Sequence, residues 1–402
     1  MDVLFLAHRA PWPPDKGDRL RAFHHLQRLS RLGPVDLVAQ ADSAEDGARA
    51  REGLSGLCRE LVIVPRRRAV ALWHAGCALL TGRSLTAGWH TDGRIDAALS
   101  ALCARHRHDL VWAFSSGTGP WLAQRAAPCR VMDLCDLDAL KWEQLGARER
   151  GARAWLYRLE AARLLPLELR LSELADLTLV VTAQEASDLR ARGGRPRRLE
   201  VLTNGTPWRD FLDLRPPSAA GPVVAFLGQM DYPPNVDAAV HLARDVMPRV
   251  RAAVPGARLV VLGRRPAPEV EALARAGEVD VAGEVASVPA ALERAAVFAA
   301  PLRSGRGLPN KVLEALAAAR ATVMSSQAAG AFDGVPGRDY LVADGAEASA
   351  AAVAGLLADP GRCDALGRAG QAFVRAAHDW DAVLGRLEDL VREVTVREVV
   401  RA

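Results

Sequence analysis

Short apolar runs alternate with segments of helix length along nearly the whole sequence. The runs of the first half are Val3–Ala7, Val35–Ala39, Leu61–Val64, Leu110–Phe114, Arg130–Leu134 and Leu177–Thr182. Those of the second half are Val223–Leu227, Arg258–Gly263, Ala295–Ala300 and Ala321–Met324. A short continuous apolar run is typical of a strand buried on both faces of a parallel sheet, and the segments between are long enough for crossover helices. The pattern predicts an α/β protein built from βαβ units.

The chain is too long for one hydrophobic core. It has 402 residues, and single cores stop growing at about 250–300 residues. The segment Arg215–Pro222 is rich in proline and small residues, which is the composition of a linker. We therefore predict one domain over residues 1–212, a second over 213–378 and a closing helix over 379–402.

Charge and apolar patterning restrict the class of protein. Half the residues are hydrophobic, a quarter are charged and the net charge is +4, which is too mild for a nucleic-acid-binding protein. Val3–Ala7 is too short for a signal-peptide core, and the sequence lacks an apolar run long enough for a transmembrane helix. Six scattered cysteines without a Cys-x-x-Cys pair predict free thiols rather than disulfides or metal ligands. These features predict a cytoplasmic location.

The segment Pro301–Leu316 joins the apolar run Ala295–Ala300 to a helical pattern. Gly305 and Gly307 let the backbone N–H groups of this loop approach a ligand closely. Unpaired N–H groups and the positive end of the helix dipole meet where such a loop enters a helix. The segment therefore predicts an anion-binding site.

Charged residues of this segment suit a diphosphate joined to a ribose. Arg303, Arg306 and Lys311 supply cations, and Arg264 directly follows another predicted strand. Glu314 lies one turn into the helix, where a carboxylate can accept two hydrogen bonds from sugar hydroxyls. Only three of the 52 basic residues are lysines. We interpret Lys16, Lys141 and Lys311 as positions that need a compact ammonium group, with chance placement as the alternative.

Two further polar segments follow predicted strands. After the first strand, Lys16, Gly17 and Asp18 precede a helix, which predicts a second anion site; a stiff surface loop is the alternative. The apolar face predicted for that helix consists of Leu20, Phe23, Leu26 and Leu29. After a later strand, a group of carboxylates could orient sugar hydroxyls or act as a general base, and a Mg²⁺ site is the alternative. This group consists of Asp133, Asp136 and Asp138, with Lys141 close behind.

Two arginine-rich stretches could contact a membrane surface. Residues 147–174 form one long helical pattern dense in arginine, and Arg66–Arg68 precedes Leu72, Trp73 and Leu79–Leu80. A basic amphipathic helix can lie on an anionic membrane. The alternative is an ordinary amphipathic helix, whose apolar stripe packs on the core while its arginines face solvent.

The segment Gly307–Ala315 resembles the donor-site signature of family 4 glycosyltransferases, a motif with two glutamates. Glu314 matches the second glutamate, and Arg306 stands where the first would fall. With Asn310–Ala315 and the N-terminal and middle segments, the chain is similar to exosortase-associated (PEP-CTERM) sugar transferases. The resemblance implies the GT-B fold, two Rossmann-like parallel-sheet domains that face an interdomain cleft. It also implies a last helix that crosses back to the first domain.

The resemblance implies a role for each matched position. The diphosphate would contact Arg303, Gly307, Lys311 and Arg264, the ribose would contact Glu314, and the transferred sugar would lie near Arg306, Leu308 and Asn310. The acceptor-side loop would contain Gly17 and Asp18, and the catalytic residues would be Lys16 and Asp136.

The resemblance implies transfer of a sugar from a nucleotide-sugar to a glycan or lipid-linked acceptor in exopolysaccharide or envelope-glycan synthesis. The nucleotide-sugar is the substrate, so no cofactor is expected, and the reaction would retain the anomeric configuration without a metal. Peripheral contact with the inner face of the membrane would suit a lipid-linked acceptor. A nucleotide-sugar epimerase and a non-catalytic nucleotide-binding partner in glycan assembly are the alternatives.

Overall fold

The computed structural model describes residues 1–123, 127–277 and 279–401, with backbone alone for residues 397–401. The chain forms two compact units, Met1–Thr203 with Leu384–Ala402, and Asn204–Val383. The first boundary thus precedes the predicted one after residue 212. None of the helices in the described ranges is long and apolar enough to cross a membrane.

The first unit is built on a parallel sheet. Among the described residues its strands are β1 (Val3–Ala7), β2 (Val35–Ala41), β3 (Glu60–Pro65), β4 (Leu110–Phe114), β5 (Cys129–Cys135), β6 (Leu177–Val180) and β7 (Leu199–Val201). Their order in the sheet is β3-β2-β1-β4-β5-β6-β7. The helices are α1 (Gly17–Leu29), α2 (Ala44–Leu54), α3 (Arg68–Leu80), α4 (Leu85–His90), α5 (Gly93–Arg105), α6 (Gly119–Ala123), α7 (Asp138–Arg148), α8 (Gly151–Leu174) and α9 (Ala183–Ala191), with a 3₁₀ turn at Ser116–Thr118.

The second unit repeats this plan. Its described strands are β8 (Val223–Leu227), β9 (Arg258–Leu262), β10 (Asp280–Gly283), β11 (Val297–Ala300), β12 (Ala321–Met324) and β13 (Leu341–Val342), in the parallel order β10-β9-β8-β11-β12-β13. The helices are α10 (Pro233–His241), α11 (Met247–Ala253), α12 (Pro268–Arg275), α13 (Val288–Glu293), α14 (Asn310–Ala317), α15 (Ser326–Ala329), α16 (Gly345–Ala358) and α17 (Pro360–Ala377). A π-helical segment, Leu242–Val246, joins α10 to α11, and 3₁₀ turns lie at Trp208–Phe211 and Pro217–Ala220. The last helix is α18 (Trp380–Arg401).

The α/β architecture predicted from the apolar runs is confirmed by both sheets. The apolar runs did not predict three edge strands, β7, β10 and β13, because these strands are short and incompletely buried and therefore lack a continuous apolar run. The prediction of one continuous helix over residues 147–174 is wrong. The helical stretch is interrupted between α7 and α8, where Gly151 adopts a positive φ of 65°.

The buried face of α1 differs from the predicted one. Leu26 and Leu29 are buried as expected, but Leu20 and Phe23 are only half-buried. Arg21 and His25 are fully buried instead. The helix is rotated toward β5 because a polar network there anchors the Arg21 guanidinium.

That network corrects the role expected for Asp133. Asp133 lies inside β5 without solvent exposure, and its carboxylate accepts hydrogen bonds from Arg21 Nε at 3.0 Å and Nη2 at 3.1 Å. Arg21 Nη1 also donates to the Leu202 carbonyl at 2.7 Å. Burial opposes ionisation, but Arg21 and His25 lower the pKa of Asp133. Asp133 is thus a structural counter-ion and is not available to a sugar.

Each sheet reverses its strand order once at its centre. The reversal lies between β1 and β4 in the first unit and between β8 and β11 in the second. The crevice beyond the carboxyl ends of such neighbouring strands is where open parallel sheets bind ligands. The fold therefore places one candidate site in each unit.

Candidate functional site

A cavity of about 200 Å³ lies beyond β11 in the second unit. It is enclosed by the loop that follows β11, by the start of α14 and by the start of α10. The lining residues are Tyr232, Pro234, Asn235, Leu302, Ser304, Gly305, Arg306, Gly307, Leu308, Pro309, Lys311, Gln327 and Ala328. Its position at the reversal of strand order and at a helix start is that of an anion-binding site.

Lys311 is held in this cavity by defined contacts. Its Nζ donates a hydrogen bond to Asn235 Oδ1 and lies 5.0 Å from the centroid of the Phe226 ring. Asn235 Nδ2 in turn donates to the Gln229 carbonyl at 2.9 Å. These contacts fix the ammonium group beyond the carboxyl ends of β8 and β11.

The close packing around Lys311 requires two glycines. A Cβ at Gly228 would lie 2.7 Å from Asn235 Nδ2 and 3.3 Å from Lys311 Nζ. A Cβ at Gly263, where φ is +150°, would lie 1.7 Å from the Gly228 carbonyl oxygen. A side chain at either glycine would therefore collide with Asn235 or with the backbone at the end of β8.

Lys311 and Glu314 are ionisable groups in a poorly solvated environment. Burial lowers the pKa of Lys311 to about 7, and the nearby Glu314 carboxylate partly offsets that shift. Burial raises the pKa of Glu314 to about 7, and Lys311 partly offsets that shift in turn. Lys311 lines the cavity, and a group in a cavity whose pKa is displaced toward neutrality is typical of binding and catalytic sites.

We expect Glu314 to destabilise the ligand-free protein as the pH rises. A carboxyl group whose pKa is about 7 in the folded chain and 4.5 as its reference value favours folding less as the pH passes from 4.5 to 7. Relative to Glu314→Gln, the native protein should lose about 1 kcal/mol between pH 5 and pH 7.5, which corresponds to about 2–4 °C in melting temperature. Thermal unfolding of both proteins at the two pH values measures this difference. An offset that stays constant with pH would contradict the expectation.

The loop after β11 is held open by glycines and side-chain hydrogen bonds. Gly305 and Gly307 have φ values of 117° and 73°, which residues other than glycine rarely adopt. Gln327 Nε2 donates to the Gly305 carbonyl at 3.0 Å, and Ser325 Oγ donates to the Leu302 carbonyl at 2.6 Å. This geometry turns Arg306, Gly307 and Leu308 toward the cavity, as their place in its lining shows.

Arg303, Arg264 and Glu314 are absent from the described lining of this cavity. The Arg303 side chain is 52% exposed and forms a bidentate ion pair with Asp237. Arg264 follows β9, and its carbonyl accepts a hydrogen bond from Met230 N at 3.0 Å. The roles of the two arginines in diphosphate binding stay predictions, as does the role of Glu314 in ribose binding.

The sequence predicted Asn310 near the transferred sugar but gave no role to Asn204 or Asn235. The chain has three asparagines. Asn235 lines the cavity and contacts Lys311, and Asn204 Nδ2 donates to Asn310 Oδ1 at 3.0 Å. Asn204 and Asn235 are buried. Their rarity in the composition was a usable signal, because a scarce residue type that recurs at strand ends indicates positions that need an amide.

In the first unit, the predicted acceptor-side loop is a network of ion pairs. Lys16 precedes α1, and its pKa is lowered by burial and by the neighbouring Arg9 and Arg19. Asp18 accepts a hydrogen bond from Arg9 Nη1, and His8 Nε2 lies 3.4 Å from the same carboxylate. Asp18 is therefore already paired, and Gly17 beside it is exposed. These facts leave Lys16 and Gly17 as accessible members of the loop.

Two histidines, His8 and His90, lie at this reversal of strand order. The His8 and His90 rings pack edge to face with centroids 5.5 Å apart, and a Cβ at Gly117 would lie 2.8 Å from His90 Cδ2. His90 Nδ1 lies 2.7 Å from Gln40 Oε1, and burial lowers the pKa of His90 well below its usual value. No sequence motif predicted this pair, because His90 comes from α4 rather than from a loop that follows a strand.

Asp136 and Asp138 lie beyond β5 at the start of α7. Asp138 Oδ2 accepts a hydrogen bond from Ser116 Oγ at 3.2 Å, whereas Asp136 Oδ1 is buried without a hydrogen-bond partner in the described structure. Burial, with the nearby Glu185 and Asp138 carboxylates, raises the pKa of Asp136 to about 7. A carboxyl group with that pKa can exchange a proton near neutral pH.

No group of histidine, cysteine, aspartate or glutamate side chains within the described ranges is arranged to hold a metal ion. The Mg²⁺ alternative for the aspartates after β5 therefore has no ligand set there. Asp133 pairs with Arg21, and the described carboxylates near Asp136 are not arranged as a set of metal ligands.

The GT-B fold is defined by the two parallel sheets, by their strand orders and by helix α14, which begins at the second-unit cavity. Solved structures share it over nearly the whole chain. Sucrose-phosphate synthase from Thermosynechococcus elongatus matches with a TM-score of 0.75 and 18% identity over 99% of this chain and 100% of its own. Anabaena HepE, solved with UDP and glucose, matches with a TM-score of 0.67 and 15% identity over 98% of this chain and 100% of its own.

Sequence comparisons indicate the same class of protein. Residues 221–359, which lie within the second unit, match the family model described as glycosyl transferases group 1. A GDP-mannose-dependent alpha-(1-6)-phosphatidylinositol monomannoside mannosyltransferase from Mycobacterium tuberculosis is 29% identical over 328 residues, which cover 74% of this chain and 79% of that protein. These matches support a glycosyltransferase of the GT-B type.

Proposed function

We propose that this protein transfers a hexose from a nucleoside-diphosphate sugar to an acceptor. The observation that carries the proposal is the position of Lys311, whose ammonium group lines the second-unit cavity beside the start of α14. A cation and a helix N-terminus together stabilise the negative charge that develops on a departing diphosphate. The family match over residues 221–359 supports the same reaction class.

The donor is a ribonucleotide in this proposal. Glu314 lies one turn beyond Lys311 and accepts hydrogen bonds from the two ribose hydroxyls. Gly307 offers its backbone to the diphosphate, with Arg303 and Arg264 as supporting cations. Arg306, Leu308 and Asn310 lie near the transferred sugar, and Arg306 and Leu308 line the cavity. The similar mannosyltransferase uses GDP-mannose, and HepE was solved with UDP and glucose.

The acceptor is a glycan or a lipid-linked sugar and contacts the first unit. Lys16 and Gly17 orient it, and Asp136 exchanges a proton with it because its pKa lies near 7. The name of the similar mannosyltransferase specifies a phosphatidylinositol-linked acceptor, which supports a lipid-linked class. In this proposal the reaction retains the anomeric configuration, needs no metal and serves exopolysaccharide or envelope-glycan assembly of the exosortase-associated kind.

Titration calorimetry with GDP-mannose, UDP-glucose and ADP-glucose tests the donor site in the full chain. We expect one of the three to bind and to be hydrolysed slowly without an acceptor, with turnover unchanged by EDTA. The anomeric configuration of the sugar product, followed by NMR, tests retention.

Each other outcome contradicts the transferase. Binding without turnover, even with lipid-linked acceptors present, would favour a non-catalytic nucleotide-binding partner, which the arginine at position 306 would suit. Isomerised donor would favour an epimerase. Failure of all three nucleotide-sugars to bind would remove the donor site.

A further inference from the structure

Helix α3 presents an apolar stripe to solvent in the first unit. Leu72, Trp73 and Leu80 are 63%, 70% and 87% exposed. At 3.6 residues per turn these three positions share one face of the helix. The opposite face is buried through Ala71 and Ala78, each 3% exposed. Leu72, Trp73 and Leu80 thus point away from the core of the first unit, and the fully buried residues of α3 are the two alanines.

Scattered apolar side chains on a surface need no explanation, but a continuous stripe does. Burial of Leu72, Trp73 or Leu80 against the first unit would require α3 to rotate by about half a turn. Their exposure therefore indicates that something outside the chain covers them.

Cations border the stripe at both ends. Arg67 and Arg68 lie exposed at the start of α3, and Arg83 lies exposed shortly after its end. Residues 61–91 contain neither aspartate nor glutamate. Arg66 differs from its neighbours because it donates to Asp42 Oδ1 at 2.9 Å and to Gln40 Oε1 at 3.1 Å.

The two arginines at the start of α3 are unfavourable for the helix itself. The N-terminal end of a helix has a partial positive charge, so cations there destabilise it. The first turn of α3 has no acidic residue to compensate. The Asp92 carboxylate attracts Arg67, but no acidic residue in the first turn of α3 offsets the unfavourable position of Arg67 and Arg68, whereas an anionic partner would.

We infer that α3 binds the surface of an anionic lipid bilayer, with Leu72, Trp73 and Leu80 inserted among the acyl chains. Tryptophan favours the boundary between head groups and acyl chains, and arginines beside it contact lipid phosphates. A protein partner fits less well, since a stable interface needs about 800 Å² on each side and this stripe is one helix wide. The inference does not depend on the identity of the nucleotide-sugar.

Co-sedimentation of the full chain with lipid vesicles tests the inference. We expect binding to vesicles of phosphatidylglycerol and phosphatidylcholine, weaker binding at high salt, and little binding to phosphatidylcholine alone. The double variant Leu72→Glu/Trp73→Glu should reduce the partition coefficient at least about tenfold. Arg67→Gln/Arg68→Gln should reduce it about fivefold per arginine and weaken its dependence on salt.

Leu212→Glu is the matched control, because Leu212 is a 52% exposed leucine of the second unit. It should bind vesicles as the native protein does. Melting temperatures should agree among all variants, since each changed side chain is exposed.

Results of two kinds would overturn the inference, absence of the expected vesicle binding or of its loss in the variant, and self-association in its place. One is native protein that stays in the supernatant with anionic vesicles at low salt, or a Leu72→Glu/Trp73→Glu variant that binds as well as the native chain. The other is self-association that depends on Trp73 without any vesicle binding, which would make a second copy of the chain the occupant of the stripe.

Discussion

Lys311→Met should weaken binding of the donor nucleotide by about 1.5–3 kcal/mol, or about ten- to over a hundredfold. The methionine side chain can still pack on Phe226, but it offers neither a charge nor a hydrogen-bond donor to the diphosphate. Titration calorimetry with the nucleotide that binds the native protein measures the loss. The loss should shrink at high pH, because the pKa of Lys311 is about 7 and the native ammonium is then largely deprotonated.

Two further lysine variants make this test specific. Lys141→Met makes the same change in α7 of the first unit and should leave nucleotide affinity unchanged. Lys311→Arg retains the charge, yet the planar guanidinium has to fit where Gly228 and Asn235 enclose a compact ammonium. It should therefore restore only part of the affinity. An unchanged dissociation constant in Lys311→Met would remove this residue from the site.

Arg21→Met should destabilise the first unit by about 3–5 kcal/mol. Both Arg21 and Asp133 are fully buried, so loss of the guanidinium leaves the Asp133 carboxylate without its main counter-ion in the core. The carbonyls of Leu202 and Thr203 lose hydrogen bonds as well. Thermal and urea unfolding should show the effect, and the soluble yield should fall.

A second substitution separates loss of the ion pair from loss of packing. The double variant Arg21→Met/Asp133→Leu removes both charges and should recover much of the stability, because apolar replacement of a whole buried pair is often tolerated. Arg105→Met is the surface control. Arg105 is 51% exposed in its ion pair with Glu60, and its loss should cost less than about 1 kcal/mol. Equal effects of Arg21→Met and Arg105→Met would contradict the structural role of the buried pair.

The apolar runs predicted the sheets because a strand that is buried on both faces consists almost entirely of apolar residues. Val3–Ala7, Leu110–Phe114 and Val223–Leu227 agree with the observed strands at both ends. The rotation of α1 was not predictable in the same way. Arg21 is buried only because Asp133 lies opposite on β5, and a pairing across 112 positions leaves no local pattern.

The lining of the second-unit cavity was better predicted than the first-unit site for a similar reason. Arg306, Gly307, Leu308 and Lys311 are close in sequence, so one loop and one helix start bring them together. The first-unit site is assembled from distant segments. His90 comes from α4 and packs against Gly117 beyond β4, which spacing along the chain could not indicate.

The displaced ionisation of Lys311 and Glu314 has a consequence for selectivity. Poor solvation disfavours the charged form of each group. A ligand therefore gains most affinity when it stabilises both charges at once. In the proposed donor site, inorganic phosphate would assist only the lysine, and a nucleoside only the glutamate. A nucleoside diphosphate joins an anion to a diol in one molecule, so its two halves should bind with positive cooperativity and exclude the far more abundant simple anions of a cell.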